Sequence, residues 1–328
     1  MMRQTLAILF LGVLWISAEE LGTKPLNIDK TEDPTEKKLS TICGRTSEFD
    51  EFHLPFKTRL SEGFKEGQTV HAYGRISKDP QRIDFNFHKG SSKNADIPLH
   101  LSIRFDEGIF SGKIVYNIQK DGNWSETENR IDSPFKSEGM FDLRVRIVGG
   151  KYKVYANRRE IGTFDQRESL EGVDHVSISG DLQSLRVFHY GGAIFANPYT
   201  AIAKLSPSKR LDVSGLPTGK KFNINLYRAD MECALQLSIR YNEGVIVRNS
   251  MVNNEWQTEE REGAFPLSKN EVFDITIVNQ DYSFQIFING QRFTAYTHKL
   301  QGGAEGIETL QIDGAVDLHT VTINDVPK

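Results

Sequence analysis

Residues 101–108 read LSIRFDEG and residues 237–244 read LSIRYNEG, so one eight-residue string occurs twice with only two substitutions. The copies lie 136 residues apart, counted from Arg104 to Arg240. A repeat of that length is the size of a domain rather than of a solenoid unit. The sequence therefore predicts two copies of one module along the chain.

The similarity continues after each string. An asparagine follows the arginine, and a tryptophan follows that asparagine seven residues later; the pairs are Asn117 with Trp124 and Asn249 with Trp256. The remaining tryptophan, Trp15, lies in a segment that we expect to be removed. These matched positions predict the same surface site in both modules.

Short runs in which apolar and polar residues alternate recur in matched pairs in the two halves. Such runs, bounded by turn residues, are typical of strands, and Asn-Gly between two of them is typical of a hairpin. We therefore expect an all-β chain of two tandem antiparallel β-sandwiches. The matched runs are residues 83–87 with 222–226, 141–145 with 273–277, and 152–155 with 284–287.

The N-terminal segment has the features of a secretory signal: a cationic Arg3, an apolar run over residues 6–16 and the small pair Ser17-Ala18. That run is too short to cross a bilayer comfortably, although an uncleaved membrane anchor is the alternative. We expect a secreted protein with no membrane insertion after cleavage. The expected organisation is a signal peptide over residues 1–18, a flexible polar leader over 19–51, and the two modules over 52–190 and 193–328.

Composition narrows the possible functions. With 328 residues and a net charge of −4, the chain lacks the basic excess of a nucleic-acid-binding protein. Its two cysteines, Cys43 and Cys233, belong to no CxxC or Cys/His pattern, so no metal site is predicted. In an oxidising compartment they could pair with each other, pair between chains or remain buried thiols.

One predicted strand in each module has a polar side chain at every second position. Because strand side chains alternate, these polar residues share one face, opposite an apolar face that is typical of a core. The simpler interpretation is the solvated outer face of a sandwich. The residues are His100, Ser102 and Arg104 in the first module, and Gln236, Ser238 and Arg240 in the second.

The residues that follow favour a binding site. Glu259 and Arg261 are two positions apart and point the same way, so Glu259 can hold the guanidinium groups of both Arg240 and Arg261. An indole ring beside such a ladder offers an apolar surface to sugar C–H groups, while the charged groups read the hydroxyls. A single tryptophan is more often part of a core, but two in the same polar context favour a saccharide site.

This pattern resembles that of the galectins, the β-galactoside-binding lectins: His-x-Asn-x-Arg, then Val-x-Asn, then Trp-x-x-Glu-x-Arg. The resemblance covers nearly the whole chain from about residue 52, as two carbohydrate-recognition domains in tandem. It implies jelly-roll-like, concanavalin-like sandwiches of two antiparallel sheets, with the sugar groove on the concave sheet. It also implies binding to glycans of glycoproteins or glycolipids, without metal, cofactor or catalysis.

In the first module the resemblance assigns seven residues to the groove, with two departures. Ser102 stands where the family has Asn, and Glu128 and Arg130 follow Trp124 by four and six residues instead of three and five. Either a bulge absorbs the extra residue or the ladder is broken. The candidate residues are His100, Ser102, Arg104, Asn117, Trp124, Glu128 and Arg130.

In the second module the spacing agrees throughout, but Gln236 replaces His and Ser238 replaces Asn. Each weakened hydrogen bond could cost about 1 kcal/mol, so altered specificity is expected in both modules. The candidate residues are Gln236, Ser238, Arg240, Asn249, Trp256, Glu259 and Arg261.

The chain contains one Asn-x-Ser/Thr sequon, at Asn123, directly before Trp124. A glycan on Asn123 would crowd the first groove and leave the second as the working site. The alternative is a sequon that is never used.

The predicted function is a secreted bivalent lectin that can cross-link glycans. A glycoside hydrolase needs two carboxylates at a fixed separation. Glu126 and Glu128 share a face, but Glu259 and Glu260 should point apart, so we do not expect an enzyme. The substitutions keep open a galectin-fold scaffold that has lost sugar binding and acts through protein contacts.

Overall fold

The computed structural model of the protein describes residues 51–108 and 112–326, and the prediction of an all-β chain is confirmed. The predicted signal peptide over 1–18, the leader up to residue 50 and Cys43 lie outside the described residues. Within 51–108 and 112–326 there is no helix with the length and apolar character needed to cross a membrane. The described residues divide into two compact units between Ile194 and Phe195.

The first unit is a sandwich of two antiparallel sheets. Its strands are β1 Phe56–Arg59, β2 Thr69–Ile76, β3 Arg82–His88, β4 Ile97–Arg104, β5 Lys113–Lys120, β6 Asn123–Trp124, β7 Asn129–Asp132, β8 Met140–Val148, β9 Lys151–Ala156, β10 Arg159–Asp165, β11 His175–Gly180 and β12 Leu182–Gly191. One sheet has the order β1-β11-β3-β4-β5-β6, with β7 also paired to β5. The other has the order β10-β9-β8-β2-β12.

The second unit repeats this arrangement with longer strands. Its strands are β13 Tyr199–Ile202, β14 Lys209–Arg228, β15 Cys233–Arg240, β16 Val245–Asn249, β17 Met251–Val252, β18 Glu255–Trp256, β19 Phe273–Asn279, β20 Ser283–Ile288, β21 Gln291–Thr297 and β22 Ile307–Asp325. The first part of β14 pairs with β19, and its last part pairs with β15. One bent strand therefore takes the places that β2 and β3 hold in the first unit.

Strand alternation places the core on one face of each sheet. In the first unit, Phe85 and Leu101 of one sheet and Val70 and Val145 of the other are almost fully buried in one apolar cluster. Burying each such side chain stabilises the fold by about 1.5–3 kcal/mol. The alternate residues of β3 and β4 consequently lie on the opposite face, where the polar row was predicted.

Two hairpins have matching two-residue turns, and the one at Asn289-Gly290 confirms the Asn-Gly turn prediction. Asn157 and Arg158 between β9 and β10 have φ angles of 49° and 73°, and Asn289 and Gly290 between β20 and β21 have 51° and 81°. Positive φ at both central residues is typical of the turns whose twist matches paired strands. The turn between β9 and β10 therefore has the same backbone type as the turn between β20 and β21.

Candidate functional site

Strand register assembles a row of polar residues across one sheet of each unit. Residues directly paired in an antiparallel sheet share a face, so a series of such pairs defines a continuous surface. In the first unit the row is Lys57, Ser177, Asn86, His100 and Asn117. In the second unit the row is Thr200, Gln311, Asn225, Gln236 and Asn249.

Each tryptophan lies at the surface on a short hairpin. The two-residue turn before Trp124 is Asp121-Gly122, and the turn before Trp256 is Asn253-Asn254; all four residues have positive φ. Trp124 is 46% exposed and Trp256 is 49% exposed. Since tryptophan is highly buried on average, both indoles are placed as surface platforms rather than as core residues.

The two asparagines of the pattern hold the tryptophan hairpins in place. Asn117 donates through Nδ2 to the Ser125 carbonyl at 3.1 Å, and Asn249 donates to the Gln257 carbonyl at 2.8 Å. Ser125 and Gln257 are the residues directly after the tryptophans. Each asparagine therefore fixes a tryptophan at the end of the polar row, and the part of the chain that the structure describes gives the second Nδ2 hydrogen of each no acceptor.

In the first unit the indole ring of Trp124 lies close to the imidazole ring of His100. The centroids of the His100 and Trp124 rings are 4.6 Å apart. The indole therefore borders the polar row itself.

A closed ring of four charged side chains borders the second row. Glu259 accepts hydrogen bonds from Arg240 Nη2 at 2.5 Å and from Arg261 Nη1 at 2.6 Å, the arrangement that its spacing from Arg261 predicts. Glu243 accepts from Arg261 Nη2 at 2.6 Å and lies 3.5 Å from Arg240 Nη1. Charge-assisted bonds of this kind fix the guanidinium plane.

In the first unit the corresponding ring is open. Glu107 accepts from Arg104 Nη1 at 2.7 Å and also from Arg130. Glu128 accepts from Arg130 Nε at 2.6 Å, and among the described residues no hydrogen bond or ion pair joins it to Arg104. The extra residue after Trp124 thus leaves Glu107, and not Glu128, to hold Arg104.

Three carboxylates of these charged rings, Glu107, Glu243 and Glu259, are held in the charged form. Hydrogen bonding from Arg104 lowers the pKa of Glu107, and hydrogen bonding from Arg240 lowers the pKa of Glu259. Hydrogen bonding from Arg261 likewise lowers the pKa of Glu243. Their hydrogen bonds to the arginines therefore persist under neutral and mildly acidic conditions.

Glu107 and Glu243 were missed as site residues, although a signal was present. Both lie inside the repeated strings LSIRFDEG and LSIRYNEG, at the seventh position. The repeat itself could have identified them. Asn86 and Asn225 were missed in the same way, since both lie in matched strand runs.

Ser102 and Ser238 lie beneath the arginines. Each is 0% exposed, and each hydroxyl accepts a hydrogen bond from the arginine two residues later, at 3.4 Å from Arg104 Nε and 3.2 Å from Arg240 Nε. The sequence predicted that both serines contact sugar. Their burial instead places them to orient the arginines, without direct access to a ligand in the groove.

His100 is a buried, neutral imidazole. Burial lowers its pKa to about 4, and the positive charges of Arg82 and Arg104 act in the same direction. The charges of Asp84 and Glu128 oppose the shift. In an unfolded chain the same imidazole has a pKa of about 6.5.

This difference predicts an acid-dependent loss of stability. Below pH 6.5 the unfolded chain gains a proton on His100 that the folded chain does not accept until about pH 4, so stability falls as pH decreases through that window. The full loss from this group is about 3 kcal/mol. In urea unfolding at pH 7 and pH 4.5, the His100→Gln variant should lose less stability than the wild-type chain. Equal losses in the two proteins would contradict this account.

The remaining candidates are placed as follows. Asn123 is exposed, and its Nδ2 donates to the Asp121 carbonyl at 3.2 Å. Cys233 is a free and fully buried thiol, and burial raises its pKa to about 12. Among residues 51–108 and 112–326 no cluster of His, Cys, Asp and Glu could hold a metal ion.

Comparison with known proteins gives a match in each unit. The family model whose description is galactoside-binding lectin matches residues 55–190 and again residues 198–323. Together these matches cover most of the chain and include every proposed groove residue.

Several relatives align with most of this chain and with nearly all of their own length. A 32 kDa β-galactoside-binding lectin of Haemonchus contortus is 37% identical over 276 residues, covering 82% of this chain and 95% of that protein. A protein of the same name from Caenorhabditis elegans is 34% identical over 278 residues, covering 83% and 97%. Galectin-4 of Sus scrofa is 28% identical over 311 residues, covering 82% and 95%.

Proposed function

Because this chain belongs to the galactoside-binding lectin family, we propose that it binds β-galactoside glycans in two grooves, one in each unit. Two features present in both units carry the proposal: a half-exposed indole at the end of the polar row, and an arginine held by carboxylates on the same strand as His100 or Gln236. The family binds carbohydrate without enzymatic activity, and the chain is not an enzyme.

The two parts of each groove have different roles in this proposal. The indole face of Trp124 or Trp256 packs against sugar C–H groups. Arg104 or Arg240, held by carboxylates, donates hydrogen bonds to sugar oxygens. Because the guanidinium groups are already fixed before the ligand arrives, little conformational entropy is lost on binding.

Two grooves on one chain make the protein bivalent. A second binding event on the same surface is intramolecular, so moderate affinity at each groove is sufficient for strong attachment. We propose secretion, from the N-terminal signal pattern, and glycans of glycoproteins or glycolipids as the partners.

Titration of the full chain with lactose tests the function. Calorimetry should give saturable binding, with a stoichiometry of two when both grooves are open. A glycan array probed with the same chain should show β-galactosides among its strongest signals. An array without signals above background, together with no heat on lactose addition, would favour the scaffold alternative instead.

We further propose that Asn123 carries an N-linked glycan when the protein is secreted. The exposed side chain directly precedes Trp124, whereas the matching position in the second unit is Glu255, which cannot be modified in this way. The glycan would crowd the first groove only.

Glycosylation has a direct readout. Protein secreted from a eukaryotic host should have an intact mass above that of the polypeptide, and Asn123→Gln should remove the excess. The same variant should raise the lactose stoichiometry from one toward two. A wild-type mass equal to that of the polypeptide removes the proposal.

A further inference from the structure

A carboxylate on β22 determines the orientation of two amides in the second groove. Asp313 accepts hydrogen bonds from Asn223 Nδ2 and from Asn225 Nδ2, both at 2.8 Å. An ionised carboxylate has no proton to donate. Asn225 must therefore turn its NH2 group toward Asp313 and its Oδ1 in the other direction.

That orientation passes to Gln236 on the next strand. Gln236 Nε2 donates to Asn225 Oδ1 at 3.1 Å, and a carbonyl oxygen can only accept. Gln236 therefore commits its NH2 group to Asn225, so its Oε1 points away from Asn225. Asn225 is 2% exposed, whereas Gln236 is partly exposed, so the oxygen that faces the groove is a hydrogen-bond acceptor.

In the first unit, His100 likewise donates to an asparagine and has its acceptor atom on the other side of the ring. The Arg82 guanidinium only donates, and its Nη2 lies 3.5 Å from His100 Nε2. His100 Nδ1–H donates to Asn86 Oδ1 at 2.6 Å. The neutral imidazole therefore has its proton on Nδ1, and Nε2 is an acceptor.

We propose that Gln236 is a like-for-like replacement of His100: each donates to an asparagine on the neighbouring strand and keeps one acceptor atom on its other side. Gln236 Oε1 accepts from a saccharide hydroxyl directly, and in the first groove the hydroxyl takes the place of the long 3.5 Å Arg82 contact at His100 Nε2. Asn225 and Asp313 are positioning residues that hold the Gln236 amide with its oxygen toward the second groove. This inference rests on the proposed saccharide function. It implies that both grooves read the same kind of hydroxyl, despite the apparent departure at Gln236.

Binding by the second groove alone provides the first test. In the full chain with Trp124→Ala, lactose titration reports the second groove. Adding Gln236→Met keeps the side-chain length but removes the acceptor, and should weaken lactose binding about tenfold, the effect of one lost hydrogen bond of about 1.4 kcal/mol. Adding Gln236→His should keep the dissociation constant within about threefold. The matched control Gln301→Met, at an exposed turn, should change nothing.

Two outcomes would overturn the inference: Gln236→Met binding lactose as tightly as its parent, or Gln236→His losing binding as severely as Gln236→Met. Absence of lactose binding by the Trp124→Ala parent is a different result, because it contradicts the proposed function of the second groove.

A ligand-free measurement separates those two failures. Neutron diffraction from the perdeuterated wild-type protein should show both Gln236 Nε2 deuterons on the side of Asn225 and a bare oxygen toward the groove. Deuterons facing the groove would overturn the orientation whatever the protein binds.

Discussion

Replacing Trp256 by alanine should abolish nearly all lactose binding by the second groove. In the Trp124→Ala chain, where only that groove is open, the dissociation constant should rise at least about thirtyfold. A buried aromatic contact at the centre of a binding site is worth about 2 kcal/mol or more, and each 1.4 kcal/mol is tenfold in affinity. Trp256 is half-exposed and held by the Asn249 bond to Gln257, so its loss removes a contact surface and not a core residue.

The chain offers a matched control for this change. Tyr282 is 84% exposed and lies between β19 and β20, outside the polar row. Tyr282→Ala should leave both lactose affinity and thermal stability unchanged. Unaltered binding after Trp256→Ala would show that the indole is not part of the second site.

Among Glu→Gln substitutions near each groove, the one that weakens lactose binding most should lie at different matched positions in the two units. Glu107→Gln should weaken lactose binding in the first groove by about tenfold or more, because hydrogen bonds to charged groups contribute about 1.5–3 kcal/mol. Glu128→Gln should cost less than about threefold, because Glu128 pairs with the more exposed Arg130 and not with Arg104, which is proposed to bind the sugar. Glu107 accepts hydrogen bonds from both Arg104 and Arg130, whereas among the described residues Glu128 is hydrogen-bonded to Arg130 alone.

In the first groove the carboxylate that comes earlier in the sequence should matter more for lactose binding. In the second groove the later one should matter more. Glu259→Gln should be more damaging than Glu243→Gln, because Glu259 lies 2.5 Å from Arg240 Nη2 and Glu243 lies 3.5 Å from Arg240 Nη1. First-groove variants are measured in the Trp256→Ala chain and second-groove variants in the Trp124→Ala chain. Equal effects of Glu107→Gln and Glu128→Gln would contradict the open ring seen in the first unit.

Much of the architecture follows from local sequence pattern. The repeated strings predicted two equivalent modules, and alternating runs predicted the strands whose apolar residues now form the cores. The Asn-Gly pair predicted the hairpin at Asn289. These features depend on residues only a few positions apart, so the sequence pattern alone is enough to predict them.

The sequence by itself determined the family pattern and the strand faces, and it predicted groove residues on β4, β5, β15 and β16. Tertiary structure alone decided which carboxylate holds Arg104, that Ser102 and Ser238 are buried, and how Gln236 is oriented. The reason is strand pairing between distant segments: Asp313 lies 88 residues from Asn225 in the chain, yet their side chains form a hydrogen bond. Which atom of a side-chain amide faces the groove depends on which strands pair and in which register. Neither can be predicted from residues that are near in the sequence.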